Sequence, residues 1–215
     1  MALLLHDYFR SSASHRVRIA LNLKGLSYRQ QPHHLRKGEH RAADYLRVNP
    51  QGFVPALVDG DVVVTQSLAI IEYLEEAYPD TPRLLPAPPA ERARVRSLSA
   101  IVAADTHPLN NMRILKYLET ELGLDEAART AWYHRWLKDC FDAFEARLEA
   151  EAETGRFCHG DVPTMADICL VPQIFNAKRF SFALSAYPAT MRIFNAAQAL
   201  DAFARAAPDR QPDAE

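Results

Sequence analysis

Residues 2–25 read ALLLHDYFRSSASHRVRIALNLKG and contain an apolar run, a polar turn and a periodically apolar segment that ends at a glycine. The apolar run predicts a strand, and the spacing of Val17, Leu21 and their apolar neighbours predicts a helix that ends at Gly25. Residues 28–33 can return as a second strand parallel to the first, because a strand-helix-strand crossover is right-handed and fits this length. The chain therefore opens with a βαβ unit.

The segment that follows predicts the rest of a small α/β domain. A weak helical pattern at 42–46 precedes two strand-like runs, 54–58 and 62–65, which flank an Asp-Gly dipeptide typical of a β-hairpin. Ser67 is then expected to cap a helix that runs as far as Tyr78. The expected order of elements is βαβ-α-ββα.

A stretch rich in proline separates this domain from a helical one. Five of the fourteen prolines fall between Pro79 and Pro89, where helix and strand are both disfavoured. Helical patterns then cover residues 90–118, 125–153 and 164–182 and shorter pieces within 189–206. The predicted fold class is α/β plus all-α, with domains at 1–82 and 88–215 and a frayed acidic tail at 209–215.

Composition excludes several classes of protein. With 48% apolar and 24% charged residues the chain can bury a core, and its net charge of -2 gives no field that would attract nucleic acid. We expect a cytoplasmic protein without a membrane partner, because no apolar run approaches ~18 residues and no basic leader opens the chain. An odd count of three scattered cysteines argues against a disulfide framework and a metal site. We assign the cysteines to packing, together with Trp132 and Trp136.

The polar turn at residues 10–16 is a candidate anion site. A helix N-terminus favours negative charge, and a serine hydroxyl there can donate to a thiolate or simply cap the helix. Gln66 and Ser67 at the start of a later helix, and the extended pair Val54-Pro55, likewise have ordinary structural interpretations. Thr164 and Asp167 are expected to form a capping box with no chemical role.

Two motifs carry a family resemblance. Residues 11–21, SSASHRVRIAL, are similar to the signature of the zeta class of glutathione transferases, and residues 66–76, QSLAIIEYLEE, are similar to its partner motif. The proline-rich linker and the helical second domain, including GDVPTMAD at 160–167, also match, so the resemblance covers nearly the whole chain. It implies a thioredoxin-like glutathione-binding domain, an all-helical substrate-binding domain and a homodimer.

The turn departs from the family signature at one position. Ala13 stands where the signature usually has a cysteine, so the thiol for any thiol chemistry must come from glutathione. The same substitution disfavours a glutaredoxin-like disulfide exchanger, which needs a low-pKa cysteine in this turn.

The resemblance also implies how glutathione is held. A cis bond at Val54-Pro55 would turn the Val54 backbone toward the cysteinyl part, Ser67 would hold the γ-glutamyl carboxylate and Gln66 its amino end. Ser11, with Ser12 as the second choice, is predicted to donate to the thiolate. The other residues that we assign to glutathione are Gln51, Asn110 and Asn111.

The substrate side depends on a histidine and three arginines. Pro108 should kink or restart its helix, and His107 and Asn111 are then expected to share a helical face. An isolated helical histidine is often only a surface or core residue, so we keep that interpretation beside a substrate-binding or acid-base role for His107. Arg10, Arg113 and Arg179 are predicted to converge on a cleft that suits a small dicarboxylate, because arginine forks bind carboxylates bidentately.

For the reaction, the resemblance implies glutathione-dependent cis-trans isomerisation through thiolate addition, bond rotation and elimination. The run Ser14-His15-Arg16 and His107 favour maleylpyruvate as substrate. Three alternatives remain open: isomerisation of maleylacetoacetate or removal of halide from α-halo acids, conjugation of hydrophobic electrophiles, and a non-catalytic interaction role on the same fold.

Overall fold

The structure, a computed structural model, describes residues 3–215 and divides them into two compact units. The first contains the residues up to Leu84 together with Gln198–Glu215, and the second contains Leu85–Ala197. The first unit contains the β-sheet and is the sheet unit; the second is the helical unit. We predicted a helical domain that extends to residue 215, but the structure puts Gln198–Glu215 in the sheet unit. The reason is that the last α-helix packs on the first α-helix of the chain. Ala2, the predicted start of the first strand, lies outside the described residues.

The sheet unit has the predicted mixed sheet of four strands. The strands are β1 (Leu3–Asp7), β2 (Tyr28–Pro32), β3 (Ala56–Asp59) and β4 (Val62–Thr65), in the spatial order β2-β1-β3-β4. β1 pairs in parallel with β2 and antiparallel with β3, which forms the predicted hairpin with β4. The βαβ unit and the hairpin are thus confirmed, and β1 is a central strand whose C-terminal end leads directly into the polar turn.

The part of the sheet unit before residue 85 also has three α-helices, α1 (Ser12–Leu23), α2 (Ala43–Val48) and α3 (Ser67–Ala77), and two 3-10 helices at Leu35–Lys37 and Glu39–Arg41. α1 contacts α3, and its apolar residues include the fully buried Val17, Ile19 and Leu21. The helix ends where Gly25 adopts a φ of +67°, a conformation that favours glycine after a helix C-terminus. The order βαβ-α-ββα is confirmed.

The prediction that Ser67 caps α3 is wrong by one position. Ser67 is the first residue of the helix, and Gln66 occupies the N-cap position with a φ of 70° and no side-chain cap bond. The Ser67 oxygen instead accepts a hydrogen bond of 3.2 Å from Nη1 of the buried Arg16. The hydroxyl is therefore held by a cation from α1.

The helical unit contains α4 (Pro89–Ala100), a π-helical turn (Ile101–Thr106), α5 (Met112–Thr120), α6 (Glu126–Ala150), α7 (Met165–Arg179) and most of α8 (Pro188–Gln198). The interruption at Pro108 is as predicted, but the helix restarts only at Met112, with Asn111 as its N-cap. The prediction that His107 and Asn111 share a helical face is therefore wrong, because both lie in the turn before α5.

Two smaller predictions for this unit are confirmed. Asp167 accepts from the Thr164 amide at 2.8 Å, so that the capping box of α7 is present. Cys140, Cys158 and Cys169 are buried and carry no disulfide, as expected of packing residues.

Within residues 3–215 no cluster of three or more histidine, cysteine or acidic side chains is placed to bind a metal ion, and no helix is both long and apolar enough to cross a membrane.

The acidic tail is not frayed. After α9 (Asp201–Ala206) the chain forms a short 3-10 turn at Pro208–Arg210 and continues along the sheet unit. Gln211 is 8% exposed and donates to the carbonyl oxygens of Arg205 and Ala207 at 2.9 and 2.7 Å. The tail is ordered because its polar side chains have found partners inside the protein.

Candidate active site

The turn between β1 and α1 is closed by main-chain bonds. The Ser11 amide donates to the Tyr8 carbonyl at 2.9 Å, and the His15 amide donates to the Ser11 carbonyl at 2.8 Å. The Ser11 hydroxyl oxygen accepts from the Ser14 amide at 3.2 Å and so caps α1. That bond uses an acceptor lone pair, and the hydroxyl proton can still be donated to an anion.

Accessibility distinguishes the two candidate serines. Ser11 is half-buried, whereas Ser12 is 7% exposed and already belongs to the first turn of the helix. Arg10, also half-buried, places its guanidinium carbon 5.0 Å from the centre of the Phe9 ring. Ser11 and Arg10 are thus presented at the positive end of α1, which is where an anion is favoured.

Hydrophobic packing connects this turn to the segment before β3. Tyr8 and Phe9 have ring centres 4.8 Å apart and form one buried cluster with Tyr45 and Val54. The Val54-Pro55 bond is cis, as predicted from the family resemblance. The carbonyl oxygen of Phe53, just before this bond, accepts from the Tyr45 hydroxyl and from Nδ2 of Asn49, the latter at 2.7 Å. The turn between β1 and α1 and the segment before β3 are therefore held by the same small hydrophobic core.

Three of the residues assigned to glutathione lie together at the start of α3. Gln66 Nε2 donates to Gln51 Oε1 at 2.8 Å, and Ser67 follows directly in the chain. The φ of 70° at Gln66 is unusual for a residue with a side chain and is typical of positions with a binding role. The positive end of α3 and the guanidinium of Arg16 make this corner of the sheet unit favourable for a carboxylate.

Sequence reasoning missed the part that two buried arginines of α1 play. Arg16 reaches Ser67, and Arg18 forms an ion pair of 3.1 Å with Asp7 in which neither side chain is exposed. Gln30 Nε2 also donates to the same Asp7 oxygen at 3.0 Å. Burial raises the pKa of Asp7 and lowers that of Arg18, and the attraction between the two charges acts against both shifts. The signal for these contacts was that both arginines lie directly beside Val17, on the apolar part of α1.

A second titratable pair lies on β1 and just after β2. His6 Nδ1 and His33 Nε2 are 2.8 Å apart, and their rings stack with centres 5.1 Å apart. Burial, together with the neighbouring His33, lowers the pKa of His6 to about 4. Burial also lowers the pKa of His33 from its ordinary value. Both rings are therefore neutral around pH 7, and one ring nitrogen can donate to the other.

In the helical unit, hydrogen bonds with residues of α6 hold the turn that contains His107. Trp132 Nε1 donates to the Leu109 carbonyl at 3.0 Å, and Asn110 Nδ2 donates to the Tyr133 carbonyl at 3.1 Å. Asn111 caps α5 by accepting from the Arg113 amide at 3.1 Å. The binding of glutathione by Asn110 and Asn111 stays a prediction, and Asn110, 7% exposed, has little surface left for it.

Arg113 and Arg179 are both exposed. Arg113 lies in the first turn of α5, and Arg179 is the last residue of α7, where its guanidinium carbon is 5.2 Å from the centre of the Phe180 ring. Tyr133 stacks on Phe180 with centres 3.7 Å apart. Burial raises the pKa of Tyr133 to about 12, although the nearby charge of Arg179 acts to lower it, so its phenol stays protonated around pH 7. The predicted convergence of these two arginines with Arg10 stays a prediction.

Comparisons with known proteins agree with this geometry. The models of the N-terminal and C-terminal domains of glutathione S-transferases match residues 10–77 and 130–197. A maleylpyruvate isomerase from a Ralstonia species is 52% identical over 209 residues, which cover 97% of this chain and 98% of the relative. The chain therefore belongs to the glutathione S-transferase family, and within it to the zeta class.

Two solved structures show the same fold over the full length. The holo structure of a bacterial maleylpyruvate isomerase, described as a zeta-class glutathione S-transferase, has a TM-score of 0.96 and 51% identity and covers 99% of this chain and 100% of its own. A maleylacetoacetate isomerase from Methylobacterium extorquens, crystallised with malonate and glutathione, has a TM-score of 0.95 and 44% identity and covers 99% of both chains.

Proposed function

We propose that this protein is a glutathione-dependent cis-trans isomerase that converts maleylpyruvate to fumarylpyruvate. The observation that supports the proposal is the turn at the N-terminus of α1, where the half-buried Ser11 is the N-cap and Ala13 stands in place of the cysteine, so that the turn itself has no thiol. A maleylpyruvate isomerase that is 52% identical over nearly the full length supports the choice of reaction.

Glutathione fits the residues of the sheet unit. Its γ-glutamyl carboxylate suits the positive end of α3, where Ser67 and the buried Arg16 lie. The paired amides of Gln51 and Gln66 offer donors and acceptors for the amino end. The main chain at Val54, fixed by the core beneath it, would hold the cysteinyl part. A relative at 44% identity is known with glutathione bound, which supports this assignment.

The residues of the chain prepare the sulfur and bind the substrate. Glutathione, when bound, supplies a thiolate that adds reversibly to the double bond and so permits rotation before it leaves. A free thiol with a pKa of ~8.5 is only slightly ionised at neutral pH. The Ser11 hydroxyl and the positive end of α1 favour the thiolate and hold it in one place, because both interact more strongly with the anion than with the neutral thiol.

The three arginines would bind the carboxylates of the substrate and stabilise the negative charge that develops on its oxygens during the reaction. Their planar forks match carboxylates bidentately. We therefore assign Arg10, Arg113 and Arg179 to the substrate, and His107 to orienting a carboxylate or assisting protonation. Malonate, bound in the Methylobacterium relative, is a small dicarboxylate of the kind that these arginines would recognise.

The test is an absorbance assay with maleylpyruvate in the presence and absence of glutathione. The proposal predicts conversion to fumarylpyruvate that requires glutathione and is not supported by a dithiol such as dithiothreitol at equal thiol concentration. Equal rates with and without glutathione, or no conversion in its presence, would overturn the proposal.

Maleylacetoacetate is the second candidate substrate, because the Methylobacterium relative with that activity in its name matches 99% of the chain. Parallel assays decide between the two through the ratio of their kcat/KM values, which we expect to favour maleylpyruvate. We also propose a cytoplasmic homodimer. The three cysteines are buried and form no disulfide, which is consistent with a reducing compartment. Light scattering tests the dimer.

A further inference from the structure

The segment after α9 returns to the turn between β1 and α1. Asp213 Oδ2 accepts a hydrogen bond of 3.0 Å from the main-chain amide of Phe9, a residue 204 positions earlier in the sequence. Phe9 is 3% exposed and is separated from Ser11 only by Arg10. An acidic side chain from the tail thus binds the main chain of Phe9, two residues before Ser11 of the proposed thiolate site.

Arg18 binds the carbonyl group of the same residue, Phe9. Its Nη2 donates to the Phe9 carbonyl at 3.0 Å, and its Nε donates to the Ala206 carbonyl at 3.1 Å. The amide and the carbonyl of Phe9 are therefore both bonded to side chains. Arg18 in addition connects the turn to the end of α9, which is where the tail begins.

The tail is itself anchored on both sides of Asp213. Before it, Gln211 accepts from Gln30 Nε2 of β2 at 3.0 Å. After it, Glu215 pairs with His34 Nε2 at 3.2 Å and with Lys37 Nζ at 3.4 Å. Because the chain is fixed on either side, the Asp213 carboxylate has a defined position relative to the turn.

We propose that Asp213 is a positioning residue of the glutathione site: by binding the Phe9 amide it fixes the turn that presents Arg10 and Ser11. The inference rests on the proposed function and deepens it. An ionised carboxylate accepts strongly from a main-chain amide. Without this acceptor a buried N–H group loses its partner, and such a group is costly to leave unsatisfied, so the turn would move to find another.

Three variants test the inference in the full-length chain. Asp213→Ala removes the acceptor, Asp213→Asn keeps an oxygen that can accept from Phe9, and Asp209→Ala is the matched control, because Asp209 is exposed in the same tail. A small misplacement of a reacting group costs rate, so we expect Asp213→Ala to lower kcat about tenfold. Gln66, Ser67 and Val54 would still hold the tripeptide, and the KM for glutathione should therefore change less than about threefold. Asp213→Asn should restore most of kcat, and Asp209→Ala should behave as the unmodified protein.

Amide hydrogen exchange at Phe9 provides a measurement that is independent of turnover. We expect faster exchange in Asp213→Ala and wild-type protection in Asp213→Asn and Asp209→Ala. The inference is overturned if Asp213→Ala exchanges at Phe9 like the control, or if Asp213→Asn loses as much kcat as Asp213→Ala. If the unmodified protein shows no glutathione-dependent turnover, the proposed function fails, and the exchange at Phe9 alone decides whether Asp213 holds the turn.

Discussion

The two halves of the proposed site are built in different ways. In the sheet unit, the turn at Ser11 is held by buried partners: the Arg18 guanidinium, the Asp213 carboxylate and a small aromatic core. In the helical unit, Arg113 and Arg179 are exposed, and the guanidinium of Arg179 lies near the ring of Phe180, which stacks on Tyr133. The sulfur would therefore be activated on a fixed frame, whereas the substrate carboxylates would be bound by long, accessible side chains.

This difference corresponds to two separate requirements of the proposed reaction, the ionisation of the thiol and the recognition of the dicarboxylate. Ionising a thiol depends on donors that are already oriented, so their geometry must be part of the folded core. Recognition of a small dicarboxylate depends on a few guanidinium groups at the surface, which can change without disturbing the fold. Substitutions in the first half should thus affect stability and rate together, and substitutions in the second half should affect rate alone.

The largest effect is expected at Arg18. Arg18→Met should lower the free energy of unfolding by about 3–5 kcal/mol, because it leaves the buried Asp7 carboxylate without its counter-ion. Urea denaturation measures the loss, and Arg29→Ala, an exposed residue on β2, is the control. A change below about 1 kcal/mol, the level of a surface ion pair, would show that the frame of the turn does not depend on this pair.

Arg179 should show the opposite behaviour. We expect Arg179→Ala to lower kcat/KM about 100-fold, because in the proposed mechanism it removes a charge that stabilises the developing anion. Its free energy of unfolding should stay within about 0.5 kcal/mol of the unmodified protein, as is usual for a surface residue. Arg179→Lys keeps the charge but not the fork and should recover only part of the rate. Full activity of Arg179→Ala would remove this residue from the site.

The pH dependence of stability tests the sheet unit near the turn at Ser11, because His6 lies on β1, the strand that leads into this turn. The unfolded chain protonates His6 near 6.5, whereas the folded protein does so only near pH 4. Stability is therefore fully present above pH 6.5 and is lost as the pH falls toward 4. With allowance for partial solvent access, we expect a loss of about 2 kcal/mol from this group. Urea titrations at several pH values check this, and His6→Gln should flatten the slope; an unchanged slope would contradict the assignment.

The smallest effect is expected at Ala13. Ala13→Cys restores the residue that the zeta signature usually has, yet turnover should change less than about threefold and should still require glutathione, since its thiolate is the nucleophile. Rate measurements with and without the tripeptide decide this. Glutathione-independent turnover in Ala13→Cys would mean that a protein thiol can replace the proposed nucleophile.

The sequence was most informative where the pattern is local. The apolar run, the periodic helix and the Asp-Gly dipeptide at 59–60 determine the order of elements in the sheet unit, because period and turn chemistry act between near neighbours. Pro108 likewise marked the interruption before α5. The cis bond at Val54-Pro55 required the family resemblance, since nothing local distinguishes it from an ordinary extended pair.

What the sequence did not reveal depends on partners far apart in the chain. Asp213 belongs to an acidic tail whose composition predicts solvation, and its contact with Phe9 spans 204 positions. Ser67 has the residue type of a helix cap, but its hydroxyl is held by Arg16 from another helix. A local pattern cannot predict such pairings, because each residue alone has a more common role at the surface or at a cap.

The central claim is that this chain ionises the thiol of glutathione through Ser11 and the N-terminus of α1. The most direct test is an ultraviolet titration of the thiolate in the binary complex of the protein with glutathione, in the unmodified protein and in Ser11→Ala. We predict that the bound thiol titrates about two units below the ~8.5 of a free thiol, and that Ser11→Ala moves it back by about one unit. A bound thiol that titrates like free glutathione in the unmodified protein would contradict the account.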